Sequence, residues 1–164
     1  MRKTMTFGAT LVVALMAAAG HDVEATHSSA DVVLKSNQLL NSTLPQPGNP
    51  LSPRFYAMTH IAMFDAINAI ERDFEPYRVR LQPGLGGSSQ MAAAQAAHDV
   101  LVALNPSAMR AYDEALSADL GDRPSDFVRR GAKIGAHVAK EILAWRQNDG
   151  WVVSAFPPYA EPPL

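Results

Sequence analysis

The stretch from Pro53 to Tyr77, PRFYAMTHIAMFDAINAIERDFEPY, constrains the fold more than any other part of this chain. Ser52 is a favourable N-cap and Pro53 a favourable first helical residue, so the sequence predicts a helix from Pro53 to about Arg72. At about 100° per residue, Phe55, Ala62 and Ala66 fall on one side while Tyr56, Phe64 and Ile67 fall on others. A helix without a polar face is packed on several sides, and so needs other helices around it. His60, Asp65 and Asn68 lie inside this apolar helix. Buried polar groups need partners, because each unsatisfied one costs roughly 1–3 kcal/mol. The stretch therefore predicts a core helix of an all-α domain that carries a structural polar trio, with Arg72 or His98 as partners for Asp65.

Four more helices can be placed around it, and no strand. The first covers about Ala30 to Asn41, with Ser28 and Asp31 at capping-box spacing. A third runs from about Gln90 to Leu104 behind Ser88 and Ser89. Its alanines, Ala92 to Ala94 with Ala96 and Ala97, favour helix and let a neighbouring backbone come close. Asn105 and Pro106 open a fourth helix, which Gly121 stops after Leu120. The fifth runs from about Pro124 to Gly150, with a buried stripe of Phe127, Gly131, Ile134, Val138, Ile142 and Trp145. Gly131 and Gly135 are one turn apart on it and predict a tight helix crossing. Leu44 to Pro53 holds four prolines and reads as an extended connector, while Glu75 to Ser88, rich in Pro and Gly, reads as a mobile loop. The fold class is all-α, a helical bundle of about five helices.

The first 25 residues read as a signal peptide: Arg2 and Lys3 form the positive region, and Phe7 to Ala19 the apolar one. That apolar run is shorter than the roughly 20 residues of a membrane span, which favours a cleaved signal over an uncleaved anchor. An exported chain, periplasmic or extracellular, follows, with no transmembrane segment after signal removal. Fourteen basic and sixteen acidic residues give a net charge of −2, and so no electrostatic reason to expect nucleic acid. There is no cysteine, so stability comes from the core alone.

The sequence offers few elements of a reactive site. His60 and Asp65 are five residues apart, about 140° around a helix, and cannot chelate one ion together. His98 and Asp99 are adjacent and diverge by about 100°, so they do not read as a preassembled dyad. His137 is one turn from Lys133 and Glu141, the pattern of a solvated face. His21 falls in the segment to be removed and His27 close to the new terminus. Nucleophile motifs are missing: no G-x-S-x-G, no cysteine, no supported S-x-x-K. Gly84-Leu85-Gly86-Gly87 precedes a helix but follows no strand and lacks the G-K-[ST] ending of a phosphate loop. Asn41-Ser42-Thr43 is a glycosylation sequon, meaningful in a eukaryotic host.

The run Arg54 to Ile70, with its H-x-A-x-F-D-A-x-N-A-I core, resembles the N-terminal half of bacterial vanadium haloperoxidase-like proteins of the type 2 phosphatidic acid phosphatase superfamily. DVVLKSNQLL, AAAQAAHDVLVALNP and AKEILAWRQNDGW agree with it, and the likeness covers about residues 31 to 163. The resemblance implies a fold of two helical bundles, of which this chain supplies one. It implies vanadate-dependent halide oxidation by peroxide, or phosphomonoester hydrolysis at the same oxyanion site. In that family the oxyanion is held by a lysine and an Arg-Pro arginine, a Pro-Ser-Gly-His loop, and a later arginine with histidine. Here the only Arg-Pro is Arg123-Pro124, Leu116 stands seven places before Arg123, and Pro124-Ser125 continues as Asp126-Phe127. None of those ligands carries over.

The expectation is therefore a signal peptide (1–25), an N-terminal helical domain (26–150) and a Pro-rich tail (151–164) leading to a catalytic half absent from the sequence. No catalytic, cofactor or metal residue is assigned, and vanadate belongs with the catalytic half. The expected partners are that half or a second copy, met through exposed apolar helix faces. A stand-alone secreted partner-binding module and one chain of a split enzyme remain open.

Overall fold

A computed structural model describes residues 29–44, 52–84, 86–121 and 124–151. The signal peptide, His21, His27, Ser28, most of the proline-rich connector, Leu85, Arg123 and residues 152–164 lie outside the described residues. Five α-helices follow one another: α1 (Ser29–Thr43), α2 (Ser52–Glu71), α3 (Ser89–Leu104), α4 (Met109–Leu120) and α5 (Asp126–Arg146). A single 3₁₀ turn, Pro106–Ala108, precedes α4. The described part is all-helical, as the sequence predicts.

The start and stop signals act through backbone groups that a helix cannot satisfy by itself. Ser88 accepts the amide of Met91 at 3.1 Å and Ser125 that of Val128 at 3.3 Å, so each caps the helix that follows. Gly121 ends α4 in the left-handed region at φ 70°, where glycine has no Cβ penalty. Arg72 ends α2 in the same region at φ 62°, without that freedom. Its guanidinium donates to the Leu81 carbonyl at 3.0 Å, one of several contacts that offset the strain.

α3 is the centre of the bundle, packed against α1, α2, α4 and α5. Met91 to Ala94, Ala96 and Ala97 are all buried, covering every side of its first two turns. Small side chains are what make this possible. Against α5 they allow backbone-to-backbone contact. A Cβ added at Gly131 would lie 2.3 Å from the Ser88 carbonyl oxygen, and one at Gly135 would lie 2.2 Å from that of Ala92. The predicted tight crossing is thus the α3–α5 contact. Ile134, Val138, Ala139 and Ile142 continue it into a core shared with Met58, Ala62, Ala66 and Ala69 of α2.

α2 finds its covering on several sides within this chain, from α1, α3 and α5 and from Val79 of the segment after it. Phe64 remains on the outside, 38% exposed, against Phe74. Two members of the expected α5 stripe also lie outside: Phe127 is 52% exposed and Trp145 is 36% exposed. With Gly131 set against Ser88 and Gly135 against Ala92, Phe127 falls before α3 begins, while Trp145 faces Tyr77 and Arg78. α5 also stops at Arg146 rather than near Gly150. Asp149 is taken by Arg54 of α2 and by Arg146, the latter at 2.9 Å, which ties the end of α5 to the start of α2.

The α3–α5 contact can be tested directly. Gly135→Ala should destabilise the chain by about 1–3 kcal/mol, because the added methyl meets a backbone carbonyl that cannot step aside. Gly86→Ala, where nothing lies within 4 Å of the added atom, is the control. Urea unfolding of both variants checks this; equal midpoints would show that the crossing tolerates a wider spacing.

Candidate functional site

Asp65 is fully buried in the middle of α2. Its carboxylate accepts three backbone amides from the segment after the helix: Tyr77 at 2.7 Å on one oxygen, Arg78 and Val79 at 2.8 Å on the other. Asn68, one turn on, grips the same segment twice. Its side-chain nitrogen donates to the Phe74 carbonyl at 2.7 Å, and its oxygen accepts the Phe74 amide at 2.9 Å. The expected partners are therefore corrected. Asp65 meets neither Arg72 nor His98; its carboxylate is turned to the main chain of residues 77–79 instead. His60 is separate from this pair and bonds Asn37 of α1 at 2.9 Å.

The expectation of a mobile 75–88 loop is corrected by the same bonds. Its first part hangs on Asp65 and Asn68. Its last part lies on α5, where the Ser88 amide donates to the Phe127 carbonyl at 3.1 Å and Arg130 donates to the Gly86 carbonyl at 2.9 Å. Arg129 turns instead to Asp126 and the Pro124 carbonyl, so the two neighbouring arginines do not converge.

A second assembly sits between α1, α3 and α4. A cavity of about 390 Å³ opens there, with Val32, Leu39, Ala94, Ala97, Leu101 and Leu116 among its walls. Lys35 of α1 and Asp119 of α4, both lining it, form an ion pair. His98 of α3 also lines it and is held between two carboxylates, Nδ1 at 2.8 Å from Asp99 and Nε2 at 2.8 Å from Asp113 of α4. His98 and Asp99 thus meet despite their divergent Cα–Cβ bonds, because rotation of both side chains closes the gap. Gln95 adds a bond to the same Asp99 oxygen at 2.8 Å.

With a carboxylate at each ring nitrogen, His98 is best satisfied as the imidazolium, which alone has two N–H donors. The hydrogen bond to Asp99 raises its pKa most. Partial burial opposes this, and the bond to Asp113 adds to the rise. The two carboxylates lie on opposite edges of the ring, so the three groups cannot converge on one ion. Among the described residues no group of three or more His, Asp or Glu side chains is placed to hold a metal.

A third feature is aromatic and cationic. Trp145 at the end of α5 has the guanidinium of Arg78 5.1 Å from its ring centroid and that of Arg146 at 5.2 Å, with Tyr77 at 6.3 Å. Arg54 covers Trp151 nearby at 5.5 Å. Clamping of residues 77–79 by Asp65 is what brings Tyr77 and Arg78 to this end of the molecule. His137 is exposed on the neighbouring face of α5, as its spacing with Lys133 and Glu141 predicts.

No family model matches the chain, and neither a curated protein nor a solved structure matches it.

Two outcomes follow from this geometry. Asp65→Ala should cost about 3 kcal/mol or more, since three main-chain amides lose a charged acceptor at once. Asp65→Asn should cost less, because its one oxygen can still serve Arg78 and Val79 while its amide group opposes Tyr77. Thermal melts of both variants check the order, and two unchanged melts would show that the clamp is dispensable.

His98 sets a pH dependence. Its folded pKa is raised above 6.5, so its stabilisation is full below about that pH and declines as pH rises through the folded value. The stability gap between the native chain and His98→Gln should therefore narrow between about pH 5 and about pH 9. Chemical denaturation across that range measures it; a gap that widens with pH would contradict the double-carboxylate arrangement.

Proposed function

We propose that this chain is the non-catalytic helical half of an exported vanadium haloperoxidase-like protein of the type 2 phosphatidic acid phosphatase superfamily. In this reading it is a scaffold, inactive alone, on which an oxyanion-binding half is assembled. The observation that carries it is the use made of Asp65. The stretch Arg54–Ile70 is where the resemblance is densest, and its carboxylate is spent on three main-chain amides. A group buried and engaged in this way, with three of its roughly four acceptor sites on main chain, supports loop placement rather than proton transfer or oxyanion chemistry. The segment it positions carries Tyr77 and Arg78 to Trp145, beside the point where the chain leaves α5. That surface is proposed as the seat of the catalytic half: aromatic rings and arginines are the side chains enriched at protein interfaces.

The reaction implied for the assembled protein is peroxide-driven halide oxidation or phosphomonoester hydrolysis at a vanadate or phosphate site. Several converging cations and backbone donors are needed for such a site. Residues 1–164 contain no Pro-Ser-Gly-His and no lysine seven places before Arg123-Pro124.

Titration of the chain with vanadate, followed by peroxide-and-bromide and phosphomonoester assays, tests the scaffold reading. No saturable binding and no turnover are expected. Micromolar binding that disappears when a single arginine is replaced would overturn it. Genomic DNA following codon 164 tests the missing half: an open frame encoding Pro-Ser-Gly-His supports it, and none in any phase favours a stand-alone partner-binding module.

A further inference from the structure

We propose that the cavity between α1, α3 and α4 binds an uncharged, mostly apolar small molecule bearing one hydroxyl group, with Ser36 as the hydroxyl's partner. This does not rest on the scaffold reading and concerns a different face of the bundle.

The first support is the void itself. Helical interiors are close-packed, with few spaces larger than a water molecule, and about 390 Å³ lies within the range of small-molecule sites. Its origin is visible in the sequence of α3. Ala94 and Ala97, one turn apart, put only methyl groups at its middle, and His98 and Leu101, which α3 also brings to the wall, leave the space between α1 and α4 open. Lys35 and Asp119 link α1 and α4 as an ion pair instead of an apolar contact. The walls remain apolar and the rim charged.

The second support is Ser36. It lines the cavity, the residue is only 6% exposed, and its hydroxyl bonds no other side chain. The hydroxyl therefore faces the cavity as an available donor and acceptor in a wall that is otherwise chiefly apolar. A ligand hydroxyl meets it there while the ligand's apolar body covers Val32, Leu39 and Leu116.

Charge selects against an acid. The charged groups lining the cavity are Lys35, His98 and Asp119. Both cations are already paired, Lys35 with Asp119 and His98 with Asp99 and Asp113 behind it. A carboxylate entering here meets no unpaired cation. An alcohol needs none.

The test uses the full chain with Nile red, a neutral dye, displaced by 1-octanol or by octanoate at neutral pH. Saturable displacement by 1-octanol is expected, with octanoate weaker by about tenfold or more. Ser36→Ala should weaken 1-octanol about two- to tenfold, the effect of one hydrogen bond. Ala115→Phe, which pushes a ring into the cavity from α4, should abolish displacement while the chain still melts cooperatively. Should that variant fail to fold, Ser36→Ala and the octanoate comparison decide alone. No saturable displacement, octanoate as tight as 1-octanol, or native-strength binding by Ser36→Ala or by a folded Ala115→Phe would each overturn the proposal.

Discussion

The bundle depends on a close contact between two main chains. α3 and α5 meet where Gly131 and Gly135 face the carbonyls of Ser88 and Ala92, leaving no room for a side chain on either glycine. That approach sets the position of α5, and so of Ile134, Val138 and Ile142, the largest aliphatic groups it gives the core. It also explains why α3 is built of alanine. A central helix touched by four others has to be thin, and a thin helix lets its neighbours share one core. Dispersion between closely spaced backbones replaces part of the burial that larger side chains would have provided.

The same economy of volume has an opposite effect on the other side of α3. Where α5 presses against Ser88 and Ala92, small residues give close contact. Where α1 and α4 are spread by the Lys35–Asp119 pair and by Tyr112, they give a cavity. Tyr112 is nearly fully buried, and its hydroxyl is fixed in a chain of bonds. Asn105 donates to it at 3.2 Å, it donates to Thr43 at 2.9 Å, and Thr43 donates to the Leu39 carbonyl at 2.7 Å. That chain ties the end of α1 to α4 through side chains rather than through packing, and it holds the two helices at a distance that alanines on α3 do not close.

Much of this was legible in the residues. Ser88 and Gly121 mark helix ends by chemistry that acts within a few positions, and the Gly131–Gly135 pair signals a close crossing because glycine in a helix is otherwise unfavourable. The partners of Asp65 were not legible. They are amides of Tyr77, Arg78 and Val79, and every residue except proline carries an amide, so the pattern of side chains holds no trace of which ones are used. Reading Gly and Pro between Glu75 and Ser88 as mobility failed for this reason: the segment is held by its backbone. His98 and Asp99 misled differently. Helical geometry separates their Cβ atoms, but both side chains are long enough to turn back, and a carboxylate on α4 draws the imidazole into place. Phe127 and Trp145 satisfied the apolar period of α5, yet Phe127 falls before α3 begins and Trp145 meets Tyr77 and Arg78, since periodicity reports the face of a helix and not what covers it.

A buried carboxylate is expensive unless its charge is met, and buried carboxylates are for that reason often read as reactive groups. Here three amides meet it, and what they secure is a sharp change of direction. α2 ends at Arg72 in a left-handed conformation, the chain reverses, and Asn68 and Asp65 hold Phe74 and residues 77–79 against the helix they have just left. An apolar residue at position 65 would leave those amides without their acceptor. The charge is thus required by the path of the chain, and the path delivers Tyr77 and Arg78 to Trp145. Polarity inside this largely apolar helix serves to build a surface at the end of α5, which is how a residue can matter to function without touching a substrate.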